Sequence, residues 1–236
     1  MAVLTISGQI GTSAREVGRL VAERLQLDYV DRQILVEAAR SMGVPMESVV
    51  PFDERTAGLG ERLAGMLRRF FERSAAAGAT DPMLGAGGLD IVLGQTYAEA
   101  AAAEALLEVS EGRYVETLTA IVRDLAGHDN VLIIGRGSQL ILKDWPGAFH
   151  ILLVAPLDVR VQFVAHRDGV SNEEAAKRVH DNEKGRIAYH EQFFKADVND
   201  PSLYHLAVNT ARFSVDGSAD VIVEAVRRAA AHAQPS

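Results

Sequence analysis

The stretch Val3-Leu4-Thr5-Ile6-Ser7-Gly8-Gln9-Ile10-Gly11-Thr12-Ser13-Ala14-Arg15-Glu16-Val17-Gly18 constrains the fold most. An apolar strand runs into a loop of small residues, and the loop runs into a helix. In that layout backbone N–H groups and a helix N-terminus converge where an anion can sit. The full pattern of such a loop is G-x-x-x-x-G-K-[ST]. Counting from Gly8, Ser13 takes the second glycine position, Ala14 the lysine position and Arg15 the Ser/Thr position. The lysine charge is missing, and an arginine follows one residue later.

The remaining chain alternates strands and helices, which predicts a parallel sheet covered on both faces. Strands are expected at 3–7, 28–31, 131–135, 149–154 and 205–208. Helices are expected at 16–25, 33–41, 114–126, from Pro156 to Arg167, and from Ser171 to about Phe194. A final helix starts at Asp216 or Ser218. Ser171-Asn172-Glu173-Glu174 reads as a capping box, with Ser171 as the N-cap and Glu174 at the third helical position. Residues 44–111 differ. Two helices, 62–73 and 97–109, flank a Gly/Ala-rich segment, 75–88, that has little to bury. This reads as a helical insertion with a mobile loop inside one 236-residue domain.

Composition narrows the function. The net charge is −8, which argues against nucleic acid as a partner, since phosphate backbones select basic faces. A small anionic ligand needs only a local cluster of cations. There are no cysteines, which excludes disulfides, thiolate metal sites and cysteine nucleophiles and fits a cytoplasmic protein. No apolar run reaches membrane-spanning length, so no membrane partner is expected. A homo-oligomer stays open.

Four groups of residues carry chemistry. Gly8 and Gly11 permit close backbone approach, and Gln9, Thr12, Ser13 and Ala14 complete the loop. Arg15 can fold back on a phosphate or lie on the surface. Beyond the third strand, Gly135-Arg136-Gly137 places an arginine where open α/β sheets bind ligands. It can grip a phosphate bidentately or pair with a structural carboxylate. Asp31 and Arg32 end the second strand. Asp31 can orient a ligand or cap the next helix, and Arg32 can meet a phosphate. Last comes a cationic series, Arg160, Arg167, Lys177, Arg178, Lys184, Arg186 and Lys195. Its i,i+4 pairs, such as Glu174 with Arg178, favour a solvated face for most members. An arginine-bearing lid over 168–200 needs the same residues.

In order along the chain, Ile6 to Gly18, Tyr29-Val30-Asp31, Ile133-Ile134-Gly135-Arg136, Arg167-Asp168-Gly169 and Arg186-Ile187-Ala188-Tyr189 resemble the cytidylate kinase-like family of P-loop proteins. That resemblance implies a P-loop α/β sheet in order 2-3-1-4-5. It also implies ATP-dependent phosphoryl transfer to a nucleoside monophosphate or a related phosphorylated acceptor, with Mg²⁺. The loop from Gly8 to Arg15 is then the cofactor-binding part. Thr12 and Ser13 lie near the metal, and Asp31, Arg32, Gly135 and Arg136 near the acceptor. Arg15, Arg136, Arg178 and Arg186 are the catalytic candidates. The sequence departs from cytidylate kinases at Ala14, where they carry the lysine. It departs again at Gly137, where they carry Asp, and at Val115, where they carry an arginine. The alternative is a catalytically weak or inactive module that binds a nucleotide or phosphate through a degenerate loop.

Overall fold

The computed structural model describes residues 2–31 and 111–232. The chain divides into two compact units, residues 1–29 with 96–236, and residues 30–95. Of the second unit only Val30 and Asp31 lie among the described residues. The helices expected at 33–41, 62–73 and 97–109, and the insertion up to residue 110, fall outside them.

The described elements alternate as the pattern predicts. They are β1 (Val3–Gly8), α1 (Ala14–Leu25), β2 (Asp28–Val30), α2 (Glu111–Gly127), β3 (Val131–Ile134), α3 (Ser138–Ile141), β4 (Ala148–Val154), α4 (Leu157–Asp168), α5 (Asn172–Phe194), β5 (Leu206–Asn209) and α6 (Val215–His232). The strands form one sheet in the order β2-β3-β1-β4-β5. β1 runs parallel to β3, with Val3 opposite Val131, and parallel to β4, with Ile6 opposite Ile151. β4 runs parallel to β5. The expected order is observed.

One face of the sheet carries Leu4, Ile6, Leu132, Ile151, Leu153 and Val208 against Val17, Val21 and Ala22 of α1 and Ala219, Ile222, Val223 and Val226 of α6. These are the helical positions three and four apart that a core-facing stripe requires. Arg24 joins the two helices, reaching Asp216 and, at 3.0 Å, Asp220. A separate small core holds Val164 of α4 against Ala175 and Val179 of α5, with Ile10 and Phe163 packed on it.

Local signals mark the ends of α4 and α5. Gly169 closes α4 at φ 65°, and Val170 N–H donates to Ala165 O at 3.1 Å, satisfying a terminal carbonyl. The hydroxyl of Ser171 accepts from Glu174 N–H at 3.2 Å and starts α5, which ends at Phe194 as expected. The sequence reading missed α3 and a short 3₁₀ turn, Pro201–Leu203. Both are shorter than the window over which periodicity can be read.

The other face of β1 is polar and dry. Thr5 Oγ1 lies 2.8 Å from His150 Nδ1, and His150 N–H donates to His205 Nδ1 at 3.0 Å. Burial, helped by His205, lowers the pKa of His150 to about 4. Burial also lowers that of His190 to about 4, against the opposing hydrogen bond to Arg186 O. Both rings are therefore neutral in the fold at pH 7. The unfolded chain takes up these protons first, near pH 6.5. Stability should fall as pH drops from about 6.5 and level off near 4, by up to roughly 3 kcal/mol per histidine. Melting temperature measured from pH 7.5 to 4 checks this; a flat profile down to pH 5 contradicts it.

Candidate functional site

β1 is the switch point of the sheet, with β3 on one side and β4 on the other. Ligand crevices of open α/β sheets lie beyond the carboxyl ends of the strands at such a point. Three segments meet this description here: Gly8 to Arg15 after β1, Gly135 to Gly137 after β3, and Ala155 to Arg160 after β4.

The first loop is held by its own atoms and by the β4 side of the sheet with α4 and α5. Gln9 N–H donates to Leu153 O at 3.2 Å. The side chain of Gln9 accepts from Ala155 N–H at 3.3 Å and donates to Glu183 Oε1 at 3.4 Å. Thr12 is buried, and its hydroxyl donates to Gln9 O at 2.7 Å. Ser13 takes the left-handed conformation, φ 53°, as the N-cap of α1 with no side-chain cap bond. Ala14 opens the helix close to Gly8, where an added Cβ would lie 2.6 Å from the Ala14 Cβ. Arg15 is exposed on the first turn.

The close backbone approach expected at Gly11 is present. The residue's lack of a side chain serves packing against protein. At φ +86°, a Cβ there would sit 2.7 Å from Arg160 O and 2.8 Å from Arg160 Cα. The backbone that approaches Gly11 is the start of α4.

The second loop is wound tightly. Gly135, Arg136 and Gly137 have φ of 76°, 56° and 69°. Three left-handed residues in a row are easy for glycine and costly for arginine. Gly135 N–H donates to Ile6 O at 2.9 Å, which ties the turn to β1. Gly137 touches the Phe194 ring so closely that a Cβ would meet it at 2.4 Å. Arg136 is buried within this turn. Asp31 is buried at the end of β2, and Arg32 lies outside the described residues.

α5 separates its cations by environment. Arg178 is exposed and bridges Glu174 at 3.0 Å and Asp168 at 3.2 Å. Arg186 is 1% exposed, against the expectation of a largely solvated series. It donates to Glu183 at 2.7 and 3.3 Å, to Ser7 Oγ at 3.5 Å and to Asn199 Oδ1. Arg160 is buried as well; its Nε donates to Ala155 O at 3.0 Å, and its Nη1 lies 3.9 Å from Glu183. Burial alone would raise the pKa of Glu183, but the hydrogen bond and charge of Arg186 and the charge of Arg160 hold it below the usual range. The sequence reading missed Glu183 and Asn199. The three-residue spacing of Glu183 and Arg186 was the available signal, but it does not distinguish a surface pair from a buried one.

The match to known proteins follows the same order of elements. The model of the cytidylate kinase-like family matches residues 3–212. The chain belongs to the cytidylate kinase-like family. It is similar to a cytidylate kinase of Methanopyrus kandleri, 37% identical over 76 residues, which covers 32% of this chain and 39% of that relative. It is also similar to one of Thermococcus kodakarensis, 32% identical over 131 residues, 52% of this chain and 65% of that relative. The chain thus spans less than two thirds of the length of these curated relatives. A solved structure of an uncharacterized protein from Eubacterium ventriosum shares the fold, with a TM-score of 0.60 at 16% identity over 96% of this chain and 98% of that one. The sheet order and the family together place the chain in the P-loop α/β class.

The packing at Gly11 yields a stability prediction. Gly11→Ala adds a left-handed non-glycine residue and a clash with backbone, so it should destabilise by at least about 2 kcal/mol. Chemical denaturation of both proteins measures the difference. An unchanged midpoint would show that α4 does not press on the loop.

Proposed function

We propose that this chain catalyses ATP-dependent phosphoryl transfer to a nucleoside monophosphate of the cytidylate type or a closely related phosphorylated acceptor. The observation that carries this reading is the family match over residues 3–212, which begins at the strand–loop–helix and includes Arg136. The relatives named cytidylate kinase support the acceptor class. We place the reaction in the cytoplasm.

Such transfer depends on positioning and charge neutralisation. An acceptor phosphate oxygen attacks the terminal phosphorus of ATP. The bond from that phosphorus to the bridging oxygen breaks, and ADP leaves with the electron pair. The N–H groups of the Gly8–Arg15 loop and the start of α1 would hold the donor phosphates. Arg136, rigid in its turn, would hold the acceptor phosphate, with Gly135 keeping the backbone thin beside it. Arg186 would contribute positive charge beside the loop, and Arg15, exposed on the first turn of α1, would meet the outer phosphates. The acceptor roles of Asp31 and Arg32 rest on the sequence motif. The surface pairing of Arg178 supports a lid role less than it supports one in tying α4 to α5.

The residues suit a magnesium ion that comes with the nucleotide. Among the described residues no group of three His, Asp or Glu side chains is gathered to hold a metal. Thr12 spends its proton on Gln9 O and keeps oxygen lone pairs, and Ser13 has no cap bond. Magnesium characteristically uses few protein ligands beside phosphate oxygens and water. When bound it would neutralise phosphate charge.

One residue favours a second reading. Ala14 stands where the lysine of active loops stands, which suits a module that binds nucleotide without turnover. A coupled assay of ATP consumption with a panel of nucleoside monophosphates separates the two. Turnover with CMP or another pyrimidine monophosphate is expected; nucleotide-dependent thermal stabilisation without turnover would favour the binding module. Arg136→Lys keeps the charge and loses the planar fork. It should raise the acceptor KM on the order of tenfold, about 1.4 kcal/mol, with the ATP KM and the melting temperature nearly unchanged. A fall in melting temperature with unchanged acceptor KM would assign Arg136 to structure instead.

A further inference from the structure

Position 14 lacks the cation of a phosphate-binding loop, yet the flank of this loop is rich in positive charge. Arg160 and Arg186 are both buried there, 8% and 1% exposed, and both face one carboxylate, Glu183. Among the described residues, two guanidinium groups against one carboxylate leave one positive charge in excess. The sharing is unequal. Arg186 takes Glu183 at 2.7 and 3.3 Å and adds Asn199 and Ser7. Arg160 reaches Glu183 only at 3.9 Å, and among the described residues its buried Nη1 has no hydrogen-bond partner. A buried charged donor without an acceptor costs more than a neutral one, and native structures retain few.

The location of that donor is informative. Arg160 Nε is fixed on Ala155 O, and the N–H of the same residue, Ala155, is fixed on the Gln9 side chain. The backbone of Arg160 packs on Gly11. Arg160 is thereby linked to Gln9 through Ala155 and packs directly on Gly11. Burial lowers its pKa, Glu183 opposes this, and the charge of Arg186 adds a smaller lowering. An anion entering here relieves that repulsion.

We propose that Arg160 is a phosphate-binding residue, its Nη1 donating to an oxygen of the bound phosphate chain and supplying the positive charge that Ala14 does not. Glu183 is then a positioning residue that holds Arg160 and Arg186 side by side against their repulsion. The proposal rests on the phosphate-binding reading of the loop.

Binding of inorganic pyrophosphate and of ATP–Mg²⁺, followed by calorimetry and by melting temperature, tests it. Arg160→Met, which keeps bulk and removes charge, should weaken pyrophosphate binding at least tenfold. Arg160→Lys should recover part of that loss. Glu183→Gln keeps an acceptor oxygen but leaves both cations without a counter-charge. It should melt lower than wild type and gain a larger upward shift from pyrophosphate. Arg228→Gln, which removes an exposed charge paired with Glu224, should bind as wild type does. A folded Arg160→Met protein with wild-type pyrophosphate affinity overturns the proposal. If Arg160→Met does not fold, a Glu183→Gln protein whose shift is no larger than wild type overturns it. Arg160-dependent pyrophosphate binding without turnover defeats the kinase reading alone; turnover with binding indifferent to Arg160 defeats this assignment alone.

Discussion

β1 is buried on both faces, and the rest of the described structure is arranged around that burial. Its apolar face receives α1 and α6, and its polar face must satisfy Thr5 and Ser7 without water. Parallel neighbours on both sides use its ladder positions, so the chain can leave β1 only at its end. The loop from Gly8 to Arg15 therefore emerges at the sheet's switch point, flanked by the turn after β3 and the turn after β4. The family assignment and the sheet agree because both depend on where β1 sits.

The second constraint is charge in a dry place. Glu183 binds Arg186, approaches Arg160 and accepts from Gln9, so one carboxylate links α5, α4 and the loop. Isolated buried charges are expensive, and pairing relieves this only when the remaining donors are also met. Asn199 and Ser7 meet those of Arg186. Breaking such a network by removing one partner typically costs more than forming it gains. The network therefore fixes the loop's position more than it adds net stability. Phe194 against Gly137 does the equivalent for the Gly-Arg-Gly turn. α5 thus braces both candidate phosphate-binding turns, one through charge near its middle and one through an aromatic ring at its end.

Elements whose signals are local were legible in the chain. The strand–loop–helix at the start and the N-cap at Ser171 each involve neighbours within a few residues. The alternation of strands and helices gave the class, and the motif resemblance gave the sheet order. Gly135, Arg136 and Gly137 were recognisable as a turn from their place after a buried strand. The small helix at 138–141 and the turn at 201–203 were not, because so few residues carry no period.

The sequence by itself determined that a glycine-rich turn joins a buried strand to a helix, and that an arginine follows the third strand. It also determined that a lysine is absent from position 14. It did not determine which cations are buried. Arg160, Arg178 and Arg186 belong to one series of helical arginines, and Arg178 and Arg186 each have a carboxylate at helical spacing on their own helix. Tertiary packing decided between them. α4 and α5 come together through Val164, Ala175 and Val179, which leaves Arg178 on the outside and turns Arg160 and Arg186 toward Glu183. Helical spacing specifies the angle of a side chain around its own axis. Its burial depends on what stands opposite, and that is set by contacts between residues 174 positions apart in the case of Gln9 and Glu183.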